Sequence, residues 1–135
     1  MNAKEGRMEV VYDDNVWVAA TDGSVERVNA HLRAMGAMHV DVADENGFTP
    51  LMAAVQYGHV DLARELLNRG ADPNKRDADG QTALHHAETA ACLRLLLDRG
   101  ADPLIKSRDG TLAVDLRREE LEEIEAEERG DAGIA

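Results

Sequence analysis

The chain contains five histidines, which are common metal ligands and general bases in proteins. Transition-metal sites combine several histidine, cysteine or carboxylate ligands, usually at short spacing along the chain. His85 and His86 are adjacent, so both cannot face one site from a regular helix. His31 and His39 have no second ligand three or four residues further on. We therefore expect neither a metal site nor a cofactor site.

The one cysteine and the paired carboxylates are the other candidates for chemistry. Cys92 lies among alanines and leucines on a predicted helix, which favours a small buried side chain over a nucleophile. A thiol nucleophile would also need a general base and an oxyanion donor, and no residue pattern points to either. Asp13-Asp14 and Glu119-Glu120 fall in segments predicted to be solvated. We expect no catalytic residues, and hence no enzyme.

Composition predicts one domain with a core of small and aliphatic side chains. The 135 residues are 44% hydrophobic, but only Trp17, Phe48, Tyr12 and Tyr57 are aromatic. Leu, Val and Ala must then fill the core, which suits thin and closely stacked helices. A single cysteine excludes an internal disulfide, and no stretch approaches the roughly 18 apolar residues of a membrane span. Since the N-terminus is polar, we expect a soluble protein of the cytoplasm or nucleus.

The chain is strongly acidic, with a net charge of −12. Residues 117–131 contribute −5 of this charge through eight acidic and three basic residues. Nucleic acids and anionic membranes attract basic patches, so the charge argues against both as partners. It is compatible with a basic protein partner, and solubility is the other interpretation.

Two short landmarks recur along the chain at nearly constant spacing. The first is a glycine before a helix-like stretch, at Gly47-Phe-Thr-Pro-Leu, Gly80-Gln-Thr-Ala-Leu and Gly110-Thr-Leu-Ala-Val. The second is Gly-Ala-Asp-Pro, at Gly70 and Gly100, each ten residues before the next first landmark. The interval from Gly80 to Gly100 is three residues shorter than the interval from Gly47 to Gly70. The later copy has therefore lost three residues between its landmarks.

Each landmark has a physical role in a pair of short helices. Thr49 and Thr82 can cap a helix by accepting backbone N–H bonds, and Pro50 then falls at the first helical position, where its missing N–H is harmless. A second helix is predicted from about Val60 to Arg69, and Gly70 ends it. Because so small a helix pair cannot bury its own apolar face, neighbouring copies must stack.

This pattern resembles the ankyrin repeat, whose marks are Asp-x-x-Gly-x-Thr-Pro-Leu-His and Gly-Ala-Asp-x-Asn. Residues 44–75 and 77–106 match it closely, and residues 15–42 look like a degenerate first copy. Residues 107–129 look like a final half copy followed by a charged helix. The resemblance implies an all-α fold, a solenoid of stacked helix-turn-helix units with short β-hairpin or loop fingers.

The chain departs from the family pattern at two helix boundaries. The copy over residues 77–106 lacks the Gly-His turn between its helices, so Glu88-Thr89 must join them. In the last copy Leu112 stands at the position of the capping threonine. We therefore expect Asp109 or Thr111 to cap the helix that follows.

The predicted organisation is one domain over residues 13–129 between flexible segments 1–12 and 130–135. Its repeats lie at about 13–43, 44–76, 77–106 and 107–129. Residues 117–129 carry a narrow apolar stripe in a glutamate-rich sequence, which predicts a terminal cap; an acidic interaction arm is the alternative. The side chains expected to form the buried strip are Val18, Ala19, Leu32, Leu51, Ala54, Leu62, Leu66, Leu67, Leu84, Ala87, Cys92, Leu93, Leu96 and Leu97, closed by Val114, Leu116, Leu121 and Ile124.

The resemblance implies a non-catalytic adaptor or scaffold, a monomer that binds a protein partner through its hairpin tips and the concave face of its first helices. The positions that would contact the partner are Glu45, Asn46, Phe48, Gln56, Tyr57, Asp79, Gln81, Glu88, Arg108 and Thr111. Phe48 and Tyr57 are placed at the contact centre, beside Glu45 and Asp79, because the stacking pattern leaves Phe48 uncovered and aromatic anchors dominate many interfaces. The alternative is that both rings pack against the next repeat.

A second function stays open beside the adaptor. The charge of −12 would also suit an acidic chaperone or an inhibitor of a basic client, whose complex would weaken steeply with salt. His85 occupies the histidine position of the motif, and the resemblance implies hydrogen bonds from its ring to threonine or to the backbone of a neighbouring repeat. Asn74 matches a hairpin asparagine that is hydroxylated in some members of the family.

Overall fold

The computed structural model of this protein describes residues 15–36 and 39–130. In these ranges eight helices follow one another in four pairs, which we call repeats 1 to 4. They are α1 (Val16–Thr21), α2 (Val25–Met35), α3 (Pro50–Gln56), α4 (Val60–Asn68), α5 (Ala83–His86), α6 (Ala90–Asp98), α7 (Ala113–Leu116) and α8 (Arg118–Arg129). The segments predicted to be flexible, 1–12 and most of 130–135, lie outside the described residues.

Short polar side chains cap α1, α2, α3 and α6. Asn15, Ser24, Thr49 and Thr89 each accept a hydrogen bond from the backbone N–H three residues further on, at 2.8–3.2 Å. Such caps satisfy backbone donors that have no partner inside the helix. The predicted cap at Thr49 is therefore confirmed, with Pro50 at the start of α3.

The missing three residues of repeat 3 shorten its first helix. α5 has four residues where α3 has seven, and it is joined to α6 by Ala87, Glu88 and Thr89, one residue more than the expected Glu88-Thr89. Neighbouring repeats bind the backbone groups exposed where α5 ends early. The Arg117 guanidinium donates to the carbonyl oxygen of Ala87 at 2.7 Å, and the Glu88 N–H donates to the carbonyl oxygen of Val55 at 3.2 Å.

The first helices stack in the order α1, α3, α5, α7, and the second helices stack behind them in the order α2, α4, α6, α8. The continuous core between the two layers contains nearly all of the expected buried strip. The prediction is wrong for Val18, whose side chain is 39% exposed. The buried residues of α1 are Val16, Ala19 and Ala20, and this spacing turns Val18 to the other side of the helix.

Leu116 is also more exposed than expected, at 41%, while Leu97, Val114 and Leu121 are half-buried. Leu116 lies at the end of α7, in the last repeat of the described chain. Within the described residues no further helix pair stacks on this repeat, so its outer apolar side chains keep part of their exposure. The predicted burial of Ile124 is confirmed.

Repeat 4 is a complete helix pair rather than a half copy with an added helix. The interval from Gly110 to Gly130 equals the interval from Gly80 to Gly100, and α8 packs beside α6 as the second helix of the pair. The expected cap from Asp109 or Thr111 is wrong, because Leu112 precedes α7 without any side-chain cap. The Asp109 carboxylate accepts the Thr111 N–H inside the preceding turn instead.

Candidate protein-interaction surface

Three tight loops, which we call finger 1 (residues 44–48), finger 2 (77–81) and finger 3 (107–111), connect the repeats. In each loop the backbone N–H of the first residue donates to the carbonyl oxygen of the fifth, at 2.9–3.1 Å. The carboxylate of Asp44 accepts the N–H groups of Asn46 and Phe48, and Asp77 repeats this arrangement in finger 2. Aspartate at the start of each of these two turns therefore fixes the shape of the finger.

Backbone hydrogen bonds hold the fingers side by side. The N–H of Ala78 donates to the carbonyl oxygen of Asn46 at 2.9 Å, and the N–H of Arg108 donates to that of Asp79 at 2.8 Å. Gly47 makes the first contact possible, because a Cβ there would lie 2.9 Å from the Ala78 nitrogen. Its φ of +76° also belongs to the left-handed region that favours glycine.

A second row of bonds joins the repeats below the fingers. The Asn74 side chain accepts the Asp102 N–H at 2.8 Å and donates to the carbonyl oxygen of Gly100 at 3.1 Å. Asp41 plays the same role in the preceding repeat, with both carboxylate oxygens 3.1 Å from the Asp72 nitrogen. Burial raises the pKa of Asp41, and the nearby Asp72 carboxylate raises it further.

Fingers 2 and 3 enclose an open polar groove of about 240 Å³, which we call the finger groove. Its lining residues are Asp79, Gln81, Ser107, Arg108 and Asp109. Arg108 is held in place by a 2.9 Å bond from its guanidinium to the carbonyl oxygen of Ala78. Hydrogen bonds from the Ser107 hydroxyl and from Thr111 lower the pKa of Asp109. The finger groove thus offers carboxylate and amide groups beside one anchored arginine.

The ends of the first helices contribute a second region of the surface. Tyr57 directly follows α3 and is 54% exposed, which makes it the most exposed aromatic side chain among the described residues. Gln56 is half-buried beside it. Glu88 is exposed, and its carboxylate lies 3.5 Å from the Arg117 guanidinium. The bond from Glu88 to Val55 places these residues close to one another across the step left by the short α5.

Phe48 does not stand free, and the expectation that stacking leaves it uncovered is wrong. Its ring is half-buried, packs against the core and meets the His86 ring edge-on. His86 in turn contacts the Asp77 carboxylate, with 2.9 Å between Nε2 and Oδ2. For Phe48 the alternative of packing against the next repeat is therefore correct, whereas the side chain of Tyr57 is open to a partner.

The buried histidine of the motif has the role that the resemblance implied. Nδ1 of His85 accepts the Thr82 N–H at 3.0 Å, and Nε2 lies 3.1 Å from the carbonyl oxygen of Thr111 in the next repeat. His59 makes a similar contact with the preceding repeat, with 2.7 Å between Nε2 and the carbonyl oxygen of Thr21. These rings hold repeats together by hydrogen bonds to backbone groups.

The remaining candidates for chemistry are the cysteine and the clusters of side chains that could bind a metal. Cys92 is buried on α6, and burial raises the pKa of its thiol, so the reactive thiolate is disfavoured. Over residues 15–36 and 39–130, no three histidine, cysteine or acidic side chains come together as metal ligands. No helix in the same ranges is long and apolar enough to cross a membrane.

The structure brings six of the ten predicted contact residues to two places. Asp79, Gln81 and Arg108 line the finger groove, and Gln56, Tyr57 and Glu88 lie at the ends of the first helices. The remaining four, Glu45, Asn46, Phe48 and Thr111, belong to the fingers, where the first two are exposed and the last two half-buried. Ser107 was missed as a lining residue, although it stands where fingers 1 and 2 have aspartate.

Comparison with known proteins agrees with this arrangement of paired helices and fingers. The family of ankyrin repeats, in a form with three copies, matches residues 16–107. The chain belongs to the ankyrin-repeat family. Ankyrin repeats generally mediate interactions between proteins and are generally non-catalytic. In this ankyrin-repeat protein the matched segment ends inside finger 3, so α7 and α8 extend the array beyond it.

Curated relatives share segments of this ankyrin-repeat protein. An ankyrin repeat-containing protein of Schizosaccharomyces pombe is 49% identical over 74 residues, which are 55% of this chain and 35% of the relative. A putative ankyrin repeat-containing protein of Treponema pallidum is 43% identical over 67 residues, 50% of this chain and 22% of the relative. The mouse 2-5A-dependent ribonuclease is 43% identical over 74 residues, 54% of this chain and 10% of the relative. The matches therefore cover about a third or less of these relatives.

Proposed function

We propose that this ankyrin-repeat protein is a non-catalytic adaptor that binds a protein partner through the finger groove and the exposed ends of the first helices. The observation that carries the proposal is the meeting of Asp79, Gln81 and Arg108 in one groove between fingers held in register by backbone bonds. A preorganised polar groove fixes the orientation of a bound segment without the entropic cost of ordering a flexible loop.

Tyr57 is proposed as the anchor of the interface. A tyrosine provides a large contact area with few rotatable bonds, and such residues supply much of the affinity in many interfaces. Its 54% exposure leaves most of this area available, whereas Phe48 has its ring engaged with His86. Glu88 and Gln56 form the polar surroundings of the anchor, while Glu45 and Asn46 extend the surface along finger 1.

The proposal is tested by quantitative affinity capture with the full chain, followed by measurement of Kd for the recovered protein. Tyr57→Ala combined with Asp79→Lys should weaken the complex by about tenfold or more, since a lost aromatic anchor alone often removes over 1 kcal/mol. Arg64→Ala is the matched control, because Arg64 is exposed on the second-helix side and pairs with Asp61 in a surface salt bridge. Equal binding by the double variant and the control would refute the proposal.

A second candidate function is an acidic chaperone or inhibitor of a basic client. It is favoured by α8, where Glu119, Glu122, Glu123, Glu125, Glu127 and Glu128 are all exposed. The two functions differ in salt dependence, because screening between low and physiological salt weakens contacts between exposed charges. A complex centred on Tyr57 should keep most of its affinity, whereas a complex led by charge should lose it over this range.

We further propose that residues 13–129 form one domain of a monomeric protein in the cytoplasm or nucleus. The continuous core through all four repeats supports the single domain. Circular dichroism and sedimentation measurements test the single domain and the monomer, since one domain predicts a single unfolding transition and a monomer predicts one species at the mass of the chain.

A further inference from the structure

The outer side of repeat 4 carries a groove that no other residue of the described chain fills. Its volume is about 150 Å³, and Val114, Arg118, Leu121, Glu122 and Glu125 line it. We call it the end groove. Val114 and Leu121 are half-buried and form its apolar portion, while both glutamates are exposed. This volume can hold one aliphatic side chain, but it is too small for a typical small-molecule ligand.

The charge around the end groove disfavours a further ankyrin repeat as its occupant. In repeat 3, the side chains of Leu84, Leu93 and Leu97 line an apolar contact with repeat 4. The outer side of repeat 4 offers only Val114 and Leu121 as apolar lining, beside Arg118, Glu122 and Glu125. Stacking another repeat would bury the last two carboxylates without an apolar surface in return, which is strongly unfavourable.

The charges around the end groove define the chemistry of its occupant. Arg118 is engaged with Asp115, whose carboxylate lies 3.2 Å from the guanidinium. Glu122 and Glu125 lie three residues apart on α8, so both face the same side of the helix. A second copy of this chain would bring another net charge of −12 to this acidic rim, which opposes self-association.

We propose that the end groove binds a basic amphipathic helix of a partner protein. One aliphatic side chain of that helix would pack against Val114 and Leu121, and lysine or arginine one turn away would pair with Glu122 and Glu125. This surface is separate from the finger groove, and it gives the acidic last helix a binding role in addition to capping the stack. Binding at the two places is independent.

The test uses a synthetic helix-forming peptide of about 15 residues with one leucine flanked by lysines at positions three and four residues away. Binding to the full chain is measured by fluorescence anisotropy and by methyl chemical shifts. We expect saturable binding with shifts at Val114 and Leu121. The double variant Glu122→Lys with Glu125→Lys should bind the lysine peptide about tenfold or more weakly. The same variant should bind a peptide that has glutamate in place of lysine.

The matched control is Glu119→Lys with Glu123→Lys, which changes the net charge equally at exposed positions of α8 outside the groove. Its affinity for the lysine peptide should stay within about twofold of that of the unaltered chain. The same is expected of Asp79→Lys in the finger groove. Equal loss in both double variants would show attraction by net charge and overturn the proposal. Unchanged methyl shifts would overturn it too. So would a dimer that the groove variant breaks, which would mean that a second copy fills the groove. Contacts from Ile134 to Val114 would mean that the chain's own C-terminal segment fills it, and would also overturn the proposal.

Discussion

The ring of Phe48 in finger 1 meets the imidazole of His86 in repeat 3 edge-on, with centroids 5.4 Å apart and planes at 87°. His86 also contacts the Asp77 carboxylate, whose other oxygen closes the turn of finger 2. Phe48 therefore connects the start of one repeat to the turn and first helix of the next. The chain's one phenylalanine therefore stabilises the packing of one repeat on the next.

Replacing Phe48 should affect folding before it affects binding. Phe48→Ala should lower the free energy of unfolding by about 1–3 kcal/mol, because a half-buried ring and an aromatic pair are lost. Phe48→Leu keeps the apolar contact and should lose about 0.5–1.5 kcal/mol. Urea unfolding followed by circular dichroism measures both. Tyr57→Ala is the comparison and should change stability by less than about 0.5 kcal/mol. A larger loss for Tyr57 than for Phe48 would contradict these assignments.

Two glycines with similar backbone angles should respond differently to alanine. Gly47 and Gly70 have φ of +76° and +98°, so a Cβ is strained at either position. At Gly70 the added Cβ meets no atom within 4 Å, and Gly70→Ala should lower the unfolding free energy by about 1–2 kcal/mol. Gly47→Ala should lower it further, because its Cβ would lie 2.9 Å from the backbone of finger 2. Thermal unfolding ranks the pair, and equal losses would refute the close approach of the fingers.

His85 should hold one tautomer. The Thr82 N–H donates to Nδ1, so the ring proton lies on Nε2, facing the carbonyl oxygen of Thr111. Long-range ¹H–¹⁵N spectra at neutral pH should show this pattern. His85→Leu leaves a buried N–H and a carbonyl group without a partner and should lower the unfolding free energy by about 2–4 kcal/mol. The exposed His39 is the control, and His39→Leu should change stability by less than about 0.5 kcal/mol.

Asp41 and Asp109 should titrate on opposite sides of the ordinary carboxyl value of 3.8. The pKa of Asp109 is lowered mainly by the Ser107 hydroxyl, so its contribution to stability is present above 3.8 and lost as the pH falls through its folded pKa. The pKa of Asp41 is raised mainly by burial, so its contribution declines as the pH rises from 3.8 through its folded pKa. Carboxyl ¹³C titration of the folded chain measures both values.

Substitutions of the neighbouring residues separate the two causes. Ser107→Ala should move the pKa of Asp109 up towards 3.8, because the largest stabilising hydrogen bond is removed. Asp72→Asn should lower the pKa of Asp41 while leaving it above 3.8, because the repulsion disappears and the burial remains. A pKa of Asp41 at or below 3.8 in the unaltered chain would contradict the position of its carboxylate between repeats.

The local structure of each repeat could be predicted from the sequence because its determinants are close together in the chain. The Thr49 cap, Pro50 at the first position of α3 and the end of α4 before Gly70 depend on neighbours within a few residues. The fourth repeat was harder to recognise, since glutamates stand at Glu123 and Glu127 where repeat 3 has leucines. The signal that could have revealed it was the position of Gly130, which follows Gly110 at the same interval as Gly100 follows Gly80.

The sequence by itself determined the repeat length, the first three helix pairs, the positions of the fingers and the acidic last helix, because capping, turn formation and apolar periodicity act over short distances. Only the tertiary structure decided which exposed-looking side chains are covered. The ring of Phe48 is covered by His86, which belongs to the next repeat. The finger groove is formed by two turns that precede different helix pairs. Such contacts follow from the register between stacked repeats, and that register is set by packing across the whole layer.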